Sequence, residues 1–269
     1  MLYNASMEAR YRNKIIAIIV LSVLIVCGLL YIHFMPSAPV AVKPQPTAEV
    51  IASPTTEASK TPAPTPTPTP VPTPAPTATP DIITDDSLTR VVNRTLTVNA
   101  DYVPSDLVDV NVHSAETKQL RKEAAESLEE MFQDAIDEQI YLKLVDGYRS
   151  YYYQLDLYNY YKSTQGSTYA DSIDAYPGAS EHQLGLAADL GCWNGACELN
   201  YCFTQYLDYQ WLIDNSWKYG WIERYPDGKQ SVTGIMYSPW HYRYVGKEAA
   251  KEIHDSGKTM EEFYNVPLQ

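Results

Sequence analysis

The apolar positions of the chain first form one continuous run and then change to a periodic pattern. The run covers residues 15–34 and contains no Asp, Glu, Lys or Arg. At about 1.5 Å per residue, a helix of this length spans about 30 Å, the thickness of a hydrocarbon core. Three basic side chains lie just before the run, within residues 1–14, and they place that end in the cytoplasm. We therefore predict a single-pass anchor in the cell membrane with the rest of the chain outside. A cleaved signal peptide and a lipoprotein modified at Cys27 are the alternatives.

Beyond residue 80 the apolar residues recur at helical and strand spacings. Steps of three and four over residues 115–138 predict a helix with Ser114 as its N-cap. Further helices are predicted at 150–162, from 207 to Gly220, and at 247–254. Short apolar or alternating runs predict strands at 140–145, 184–190, 221–224 and 236–245. Because helices and strands interleave without regular βαβ units, an α+β domain is indicated.

Proline divides the chain into regions. Residues 36–80 hold 14 of the 19 prolines, mixed with Thr, Ala and Ser. Such a segment buries too little apolar surface to offset the entropy of ordering it, and alternating proline favours extended polyproline II. We therefore predict a disordered Pro/Thr-rich linker at residues 35–80, followed by an extracytoplasmic domain at residues 81–269.

The charge of that domain narrows its partners. The chain has 20 Lys and Arg and 33 Asp and Glu, of which residues 1–80 hold five and three. Residues 81–269 therefore carry 15 basic and 30 acidic side chains, a net charge of −15. A domain this acidic is repelled by phosphate backbones, so nucleic acid is excluded as a partner.

Cysteine usage leaves the pairing open. Cys192, Cys197 and Cys202 lie in the external domain, and three thiols allow one disulfide in any of three pairings. No Cys-x-x-Cys pair is present, which disfavours a cysteine zinc site.

Three stretches carry candidate chemistry, at residues 146–150, 180–189 and 238–246. Two histidines and one carboxylate, His182, Asp189 and His241, form a mixed nitrogen and oxygen donor set that suits Zn²⁺. Each of the three also has an explanation that involves no metal, since single histidines are commonly surface or core residues. Spacing alone therefore leaves a metal site and unrelated packing roles both open.

The same stretches carry a family resemblance. They read Gly-Tyr-Arg-Ser at 147–150, Ser-x-His-x-x-Gly-x-Ala-x-Asp at 180–189, and Trp-His at 240–241. These motifs resemble the signatures of the VanY-type D-alanyl-D-alanine carboxypeptidases, zinc peptidases of bacterial cell walls, over most of residues 90–265. The resemblance implies the small α+β fold shared with the Hedgehog signalling domain, a mixed sheet with packed helices.

The resemblance also implies roles for particular residues. It assigns the Zn²⁺ ligands to His182, Asp189 and His241. It assigns Arg149 to a substrate carboxylate or to the tetrahedral intermediate, and Gln154 and Ser180 to the pocket for the terminal residue. The reaction implied is removal of a C-terminal D-alanine from peptidoglycan stem peptides.

One position departs from the family pattern. The family has a catalytic glutamate three residues before the last zinc histidine, and Ser238 stands there in this chain. A serine hydroxyl with no base beside it does not accept a proton at neutral pH, a role typically worth roughly 10²–10⁴-fold in rate. Two hypotheses follow: an impaired zinc carboxypeptidase, or a catalytically inactive relative that binds stem peptides or D-alanine-ended ligands. A structural stalk protein without zinc is a third, weaker hypothesis.

Overall fold

The computed structural model describes residues 80–173 and 175–266. The predicted anchor at 15–34 and all but the last residue of the predicted linker lie outside this part of the chain. Among the helices of the described residues, none combines the length and the apolar character needed to cross a bilayer.

The described chain contains six strands and seven α-helices, with short 3₁₀ segments between them. The strands are β1 (Leu107–Asp109), β2 (Gln119–Arg121), β3 (Leu142–Asp146), β4 (Ala187–Cys192), β5 (Trp221–Glu223) and β6 (His241–Tyr244). The helices are α1 (Lys122–Asp137), α2 (Tyr151–Gln165), α3 (Ser167–Ile173), α4 (Leu207–Asn215), α5 (Gln230–Thr233), α6 (Lys247–Ser256) and α7 (Met260–Tyr264).

Four strands form the central sheet in the order β3-β4-β6-β5, and β1 pairs with β2 separately. Helices and strands occur together without βαβ units, so the predicted α+β class is confirmed. Every strand pair is antiparallel, so the expected mixed sheet is wrong. An isolated parallel bridge joins Ser114 to Leu144. β4 and β6 are the inner strands, and every residue of both is buried.

Helix α1 packs its apolar stripe into the core beside this sheet. Its buried apolar side chains are Ala124, Ala125, Leu128, Met131, Phe132 and Ala135. They join the larger of two buried clusters, together with Leu142, Leu144 and Leu190 of the sheet. Burying a side chain of Leu or Met size contributes about 1.5–3 kcal/mol, so this stripe anchors α1 against the sheet.

The predicted helix at 115–138 starts later than its spacing indicated. Residues Gln119–Arg121 pair with β1 instead, and the Arg121 amide donates to the Gly185 carbonyl, 2.9 Å away. Helix α1 therefore begins at Lys122, and Ser114 does not cap it. Tertiary strand pairing has outweighed the local helical pattern here.

The predicted strand at 236–245 is also shorter in the structure. Pro239 has no amide hydrogen to give to a sheet, and the His241 amide closes a turn onto the Ser238 carbonyl at 3.0 Å. The strand therefore begins at His241. The other predicted helices and strands are present with shifted ends, and helices α3, α5 and α7 and strand β1 were not predicted.

The cysteine question has a definite answer in the structure. Cys197 and Cys202 form a disulfide, and Cys192 is buried without one. The disulfide closes a short loop between β4 and α4.

Candidate metal centre

The sheet brings two of the three predicted ligands together. Asp189 of β4 and His241 of β6 are direct cross-strand partners, and side chains opposite each other in an antiparallel pair lie about 4.5–5.5 Å apart at Cβ. His182 comes from the 3₁₀ segment Glu181–Leu184, which leads into β4. One donor atom from each of the three buried residues lies within 4.8 Å of the others.

The hydrogen bonds of His182 fix which of its nitrogens faces the other ligands. Its Nδ1 donates to the carbonyl oxygen of Gly147 at 2.6 Å. A carbonyl only accepts, so the neutral ring keeps its lone pair on Nε2, which lies 3.4 Å from Asp189 Oδ2. Gly147 has to be glycine, because a Cβ there would lie 2.6 Å from a backbone oxygen of β2.

His241 lies between two carboxylates, one at each of its nitrogens. Its Nε2 lies 3.3 Å from Glu181 Oε2 and its Nδ1 lies 3.0 Å from Asp189 Oδ1. Burial alone would lower the pKa of His241, but the bonds to Asp189 and Glu181 outweigh it and raise the pKa. In the singly protonated form that can bind a metal, Nε2 donates to Glu181 and Nδ1 carries the lone pair on the side that faces Asp189. The ring of Tyr225 stacks on His241, with centroids 4.9 Å apart.

Asp189 is held as a carboxylate by cationic and polar neighbours. Burial opposes its ionisation, but His182, His241 and Arg149 outweigh burial and hold its pKa well below the usual range. Arg149 donates to Asp189 Oδ2 at 2.7 Å and to Asp146 Oδ2 at 2.8 Å. The turn after β3 therefore places the Arg149 guanidinium beside the three candidate ligands. We call these, His182, Asp189 and His241, the ligand group.

A buried ionic network supports the site from behind, and sequence reasoning missed it. Glu181 Oε1 accepts from Arg224 Nε at 2.7 Å and from an Arg243 guanidinium nitrogen at 2.8 Å. Burial would raise the pKa of Glu181, but the two arginines outweigh it and hold the pKa far below its ordinary value. Arg224 also makes a two-pronged contact with Glu261 of α7. The network orients His241 through Glu181, as second partners of metal-binding histidines do.

The ligand group opens into a small cavity of about 60 Å³. Its lining residues are Arg149, Ile173, Ala175, Ser180, Glu181, His182, Asp189, Tyr225, Ile235, Ser238, Trp240 and His241. Ser180 thus lies on the cavity wall, whereas Gln154 is fully buried behind Arg149. The Gln154 amide accepts from Arg149 at 3.2 Å and donates to the Ala175 carbonyl at 2.9 Å.

Ser238 lies on the cavity wall with no base beside it. Its hydroxyl donates to the carbonyl of Met236 at 3.0 Å, and its amide donates to the carbonyl of Tyr225. Within the described part of the chain, the only acids lining the cavity are Glu181 and Asp189. Glu181 is engaged by two arginines and Asp189 belongs to the ligand group, so neither is available as a proton acceptor.

A larger cavity of about 600 Å³ lies at the other end of β4, around Cys192 and Trp193. Its lining is mainly apolar and offers only Cys192 and Asp208 as side chains of metal-binding type. Burial raises the pKa of the Cys192 thiol to about 11, so the thiolate is disfavoured. This cavity does not compete with the histidine site as a metal centre.

The donor set fits Zn²⁺ on the chemistry of its atoms. One nitrogen of each imidazole and one carboxylate oxygen lie within 4.8 Å of one another, and each imidazole has its second nitrogen bonded to a carbonyl or carboxylate. Three protein ligands leave a further position open, which is the pattern of catalytic rather than structural zinc. An α+β domain with this donor set is of the class of candidate zinc-binding proteins.

Comparison with known proteins narrows that class. The VanY family profile, described as D-alanyl-D-alanine carboxypeptidase, matches residues 117–247. The protein YodJ of Bacillus subtilis (strain 168) is 41% identical over 184 residues, which covers 66% of this chain and 67% of YodJ. The chain therefore belongs to the VanY D-alanyl-D-alanine carboxypeptidase family.

Solved structures agree with this assignment. The LD-carboxypeptidase LdcB is 40% identical with a TM-score of 0.64, over 69% of this chain and 88% of LdcB. VanYB in complex with D-alanine-D-alanine is 33% identical with a TM-score of 0.57, over 67% of this chain and 98% of VanYB. A mutant of the vancomycin-resistance D,D-pentapeptidase VanY, in complex with Zn(II), is 32% identical with a TM-score of 0.56, over 66% of this chain and 98% of that one.

Proposed function

We propose that this protein is a zinc-dependent carboxypeptidase that removes a C-terminal D-alanine from peptidoglycan stem peptides, with slow turnover. The observation that carries the proposal is the convergence of His182, Asp189 and His241 beside Arg149 in one small cavity. The relatives support it, since one was solved with Zn(II) and another with D-alanine-D-alanine.

Each group of the cavity has a role in this proposal. Bound zinc supplies a Lewis acid for the scissile carbonyl and lowers the pKa of a coordinated water. Arg149, tied to Asp146 and Asp189, holds its guanidinium at a fixed place where it pairs with the substrate's terminal carboxylate or with the charge that develops on the carbonyl oxygen. Ser180 lines the same wall and limits the size of the terminal residue.

Slow turnover follows from Ser238. A proton has to leave the attacking water and reach the departing amine, and no free carboxylate lines the described cavity to carry it. The binding-only hypothesis rests on this same observation. In that case the zinc ligands and Arg149 hold a D-alanine-ended peptide without cleaving it.

We further propose that residues 15–34 anchor the protein in the cell membrane and that the linker holds the domain near the wall. This rests on the sequence pattern alone. Protease treatment of intact cells tests it: the domain should be released while residues 1–14 stay protected, and protection of the domain would refute the topology.

The main experiment uses the full-length chain loaded with zinc. Metal analysis should give one zinc per chain in the parent and a strong loss in Asp189→Ala. D-alanine release is then followed from a pentapeptide stem and from a tetrapeptide stem, which separates a D,D from an L,D preference. Release abolished by Asp189→Ala supports the carboxypeptidase. Stem binding without release over hours at micromolar protein establishes the binding-only alternative, and a chain that binds no zinc refutes both.

A further inference from the structure

The larger cavity around Cys192 and Trp193, which we call the Trp193 cavity, takes no part in the proposed hydrolysis. It measures about 600 Å³, shares no lining residue with the metal cavity, and lies at the end of β4 that Cys192 forms. Cavities of roughly 300–1,000 Å³ with apolar walls and a few polar groups are the usual form of a binding site. The Trp193 cavity therefore has the size and lining of a second site.

Exposed apolar side chains collect at this cavity. Eleven large apolar or aromatic side chains are exposed in the described part of the chain, and four of them line the Trp193 cavity: Ile136, Tyr141, Trp193 and Leu207. Leu207 is 76% exposed at the start of helix α4. Single exposed apolar residues are ordinary, whereas a group of them around a concavity marks an interaction surface.

The wall that carries Trp193 is fixed by its own contacts. The Trp193 ring stacks on His113 with centroids 3.6 Å apart and planes 14° apart, and the Tyr141 ring meets it edge-on with centroids 6.2 Å apart. The Trp193 amide also donates to the Tyr141 carbonyl at 3.0 Å. Trp193 nevertheless remains 49% exposed. A surface that is already ordered loses little conformational entropy on binding a ligand, which favours affinity.

Asp208 gives this apolar cavity a negative charge that lacks a cationic partner. It is the only Asp, Glu, Lys or Arg among the described lining residues, and no Lys or Arg of the described chain pairs with it. Burial raises the pKa of the Asp208 carboxyl, and the hydrogen bonds from its own amide and from the Cys192 thiol offset only part of that effect. A cation supplied by a ligand would stabilise the carboxylate.

The end of helix α1 adds to the negative potential. Ile136 lies in the last turn of α1 and lines the cavity, as do Gln139 and Ile140 just beyond the helix. The C-terminal end of a helix carries about half a negative charge, and the last turn of α1 contains no basic residue to balance it. Charge complementarity therefore selects a ligand that combines an apolar group with a cation.

A peptide segment of a partner protein meets these requirements. A Phe or Leu side chain fits between the apolar walls, and a Lys or Arg beside it reaches Asp208. The amide side chains of Gln139 and Asn194, also on the lining, are donors and acceptors for a peptide backbone. The exposed rim at Tyr141 and Leu207 leaves room for the chain to continue on both sides, as a small enclosed ligand does not need.

We infer that the Trp193 cavity is a docking site for a partner protein, which inserts a peptide segment with an apolar side chain next to Lys or Arg. The inference goes beyond the proposed function and does not depend on it, because no residue of the metal cavity takes part. Docking at this site would hold the catalytic or binding domain beside that partner.

Calorimetry on the full-length chain tests the inference with capped tetrapeptides. The main probe is acetyl-Gly-Phe-Lys-Gly-amide. Its counterparts carry Nε-acetyl-lysine in place of Lys, which removes the charge, or Ala in place of Phe, which removes the apolar group. The amide at the C-terminus takes away the carboxylate that Arg149 would bind, so the probes have no charged group for the metal cavity.

The Phe-Lys probe should bind about threefold to fivefold more tightly than the acetyl-lysine probe, the upper part of the range for ion pairs open to solvent. Replacing Phe with Ala should weaken binding about tenfold, since most of the apolar contact is lost. Removing zinc should change neither difference. No binding at millimolar probe, or equal affinities for the lysine and acetyl-lysine probes, overturns the inference.

Two variants with matched controls assign the effects to the cavity. Asp208→Asn should abolish the preference for lysine and leave the affinity for the acetyl-lysine probe unchanged. Asp214→Asn, on the same helix but outside the cavity, should keep the preference. Leu207→Ala should weaken both Phe probes, whereas Val103→Ala, at another exposed apolar position, should not.

Thermal unfolding and zinc content at the parent level show that the variants are folded. Leu207 is mostly exposed, so its variant keeps the test decisive even if Asp208→Asn is unstable. A lysine preference that survives in folded Asp208→Asn, or Phe probes that bind Leu207→Ala as well as the parent, overturns the inference. Self-association of the parent that Leu207→Ala abolishes would also overturn it, since a second copy would then be the occupant.

Discussion

Replacing Ser238 with glutamate should convert the slow site into a faster one, because position 238 is where the cavity lacks a proton acceptor. The backbone there is fixed on both sides. The Ser238 amide donates to the Tyr225 carbonyl at 3.0 Å, and the Ser238 carbonyl accepts from the His241 amide at 3.0 Å. A carboxylate introduced at 238 therefore projects from a defined point on the cavity wall, in the peptide segment that carries a metal ligand.

The size of the gain follows from two opposing terms. A positioned acid–base group is worth roughly 10²–10⁴-fold in rate, or about 3–5.5 kcal/mol of barrier. Against this, Ser238 is only 3% exposed and its bond to the Met236 carbonyl is lost, a net loss of about 0.5–1.5 kcal/mol. The cavity of about 60 Å³ also has to take a longer side chain. We therefore expect an increase in kcat at the lower end, about 10–100-fold.

The assay is D-alanine release from the preferred stem peptide by zinc-loaded parent, Ser238→Glu and Ser238→Gln proteins. The glutamine variant has nearly the same size and shape as the glutamate variant but no basicity. The glutamate variant should show a higher kcat and a rate that rises with pH as its carboxyl ionises, with KM little changed. The glutamine variant should stay at the parent level.

The reasoning fails if Ser238→Glu and Ser238→Gln are equally slow while both hold one zinc per chain. That result would mean that a carboxylate at 238 does not reach the reacting atoms. A parent already as fast as Ser238→Glu would mean that another group carries the proton.

Three further changes test the supports of the site. Glu181→Gln should weaken zinc binding about 10–100-fold, because His241 loses the carboxylate that orients it. Competition with a chelator measures the zinc affinity. An unchanged affinity would show that Glu181 contributes to packing alone. Gly147→Ala should lower both stability and zinc affinity, since its Cβ would push against a β2 carbonyl 2.6 Å away and shift the oxygen that fixes His182; thermal unfolding with and without zinc separates the two effects. Burial raises the pKa of Glu223 to about 7, so the folded state binds the carboxyl proton more tightly than the unfolded state does. The contribution of this proton to the free energy of unfolding is therefore lost as the pH rises from about 4.5 to 7. Glu223→Gln should therefore be more stable than the parent at pH 8 by up to about 3 kcal/mol and gain less at pH 5, and denaturant titrations giving equal differences at both pH values would contradict this.

The ligand group illustrates how far the sequence leads. The residue types and the motif resemblance were enough to select His182, Asp189 and His241, and the structure brings the three together. The contact between Asp189 and His241 depends on the register of β4 against β6. A slip of one residue would turn one of the two side chains to the opposite face of the sheet, and no local pattern specifies that register across so long a separation.

The supports of the site were beyond local reasoning. Glu181, Arg224, Arg243 and Glu261 are residue types that normally lie on the surface, so sequence reasoning gives no reason to place them in the interior. They are buried here because opposite charges meet from segments far apart in the chain. The predicted helix at 115–138 begins late for a related reason, since residues 119–121 pair with the preceding strand β1.

The contact between Glu261 and Arg224 has a consequence for when the site can form. Glu261 of α7 is fully buried and holds Arg224, which holds Glu181, which orients His241. Leaving one member of a buried ion pair without its partner costs about 3–5 kcal/mol, so the centre is unsupported until α7 has docked. During synthesis, a nascent chain that already contains all three metal ligands still lacks this support. Tight zinc binding should thus begin only after residue 261 has been synthesised and folded into place. A chain that ends before residue 261 should bind zinc more weakly.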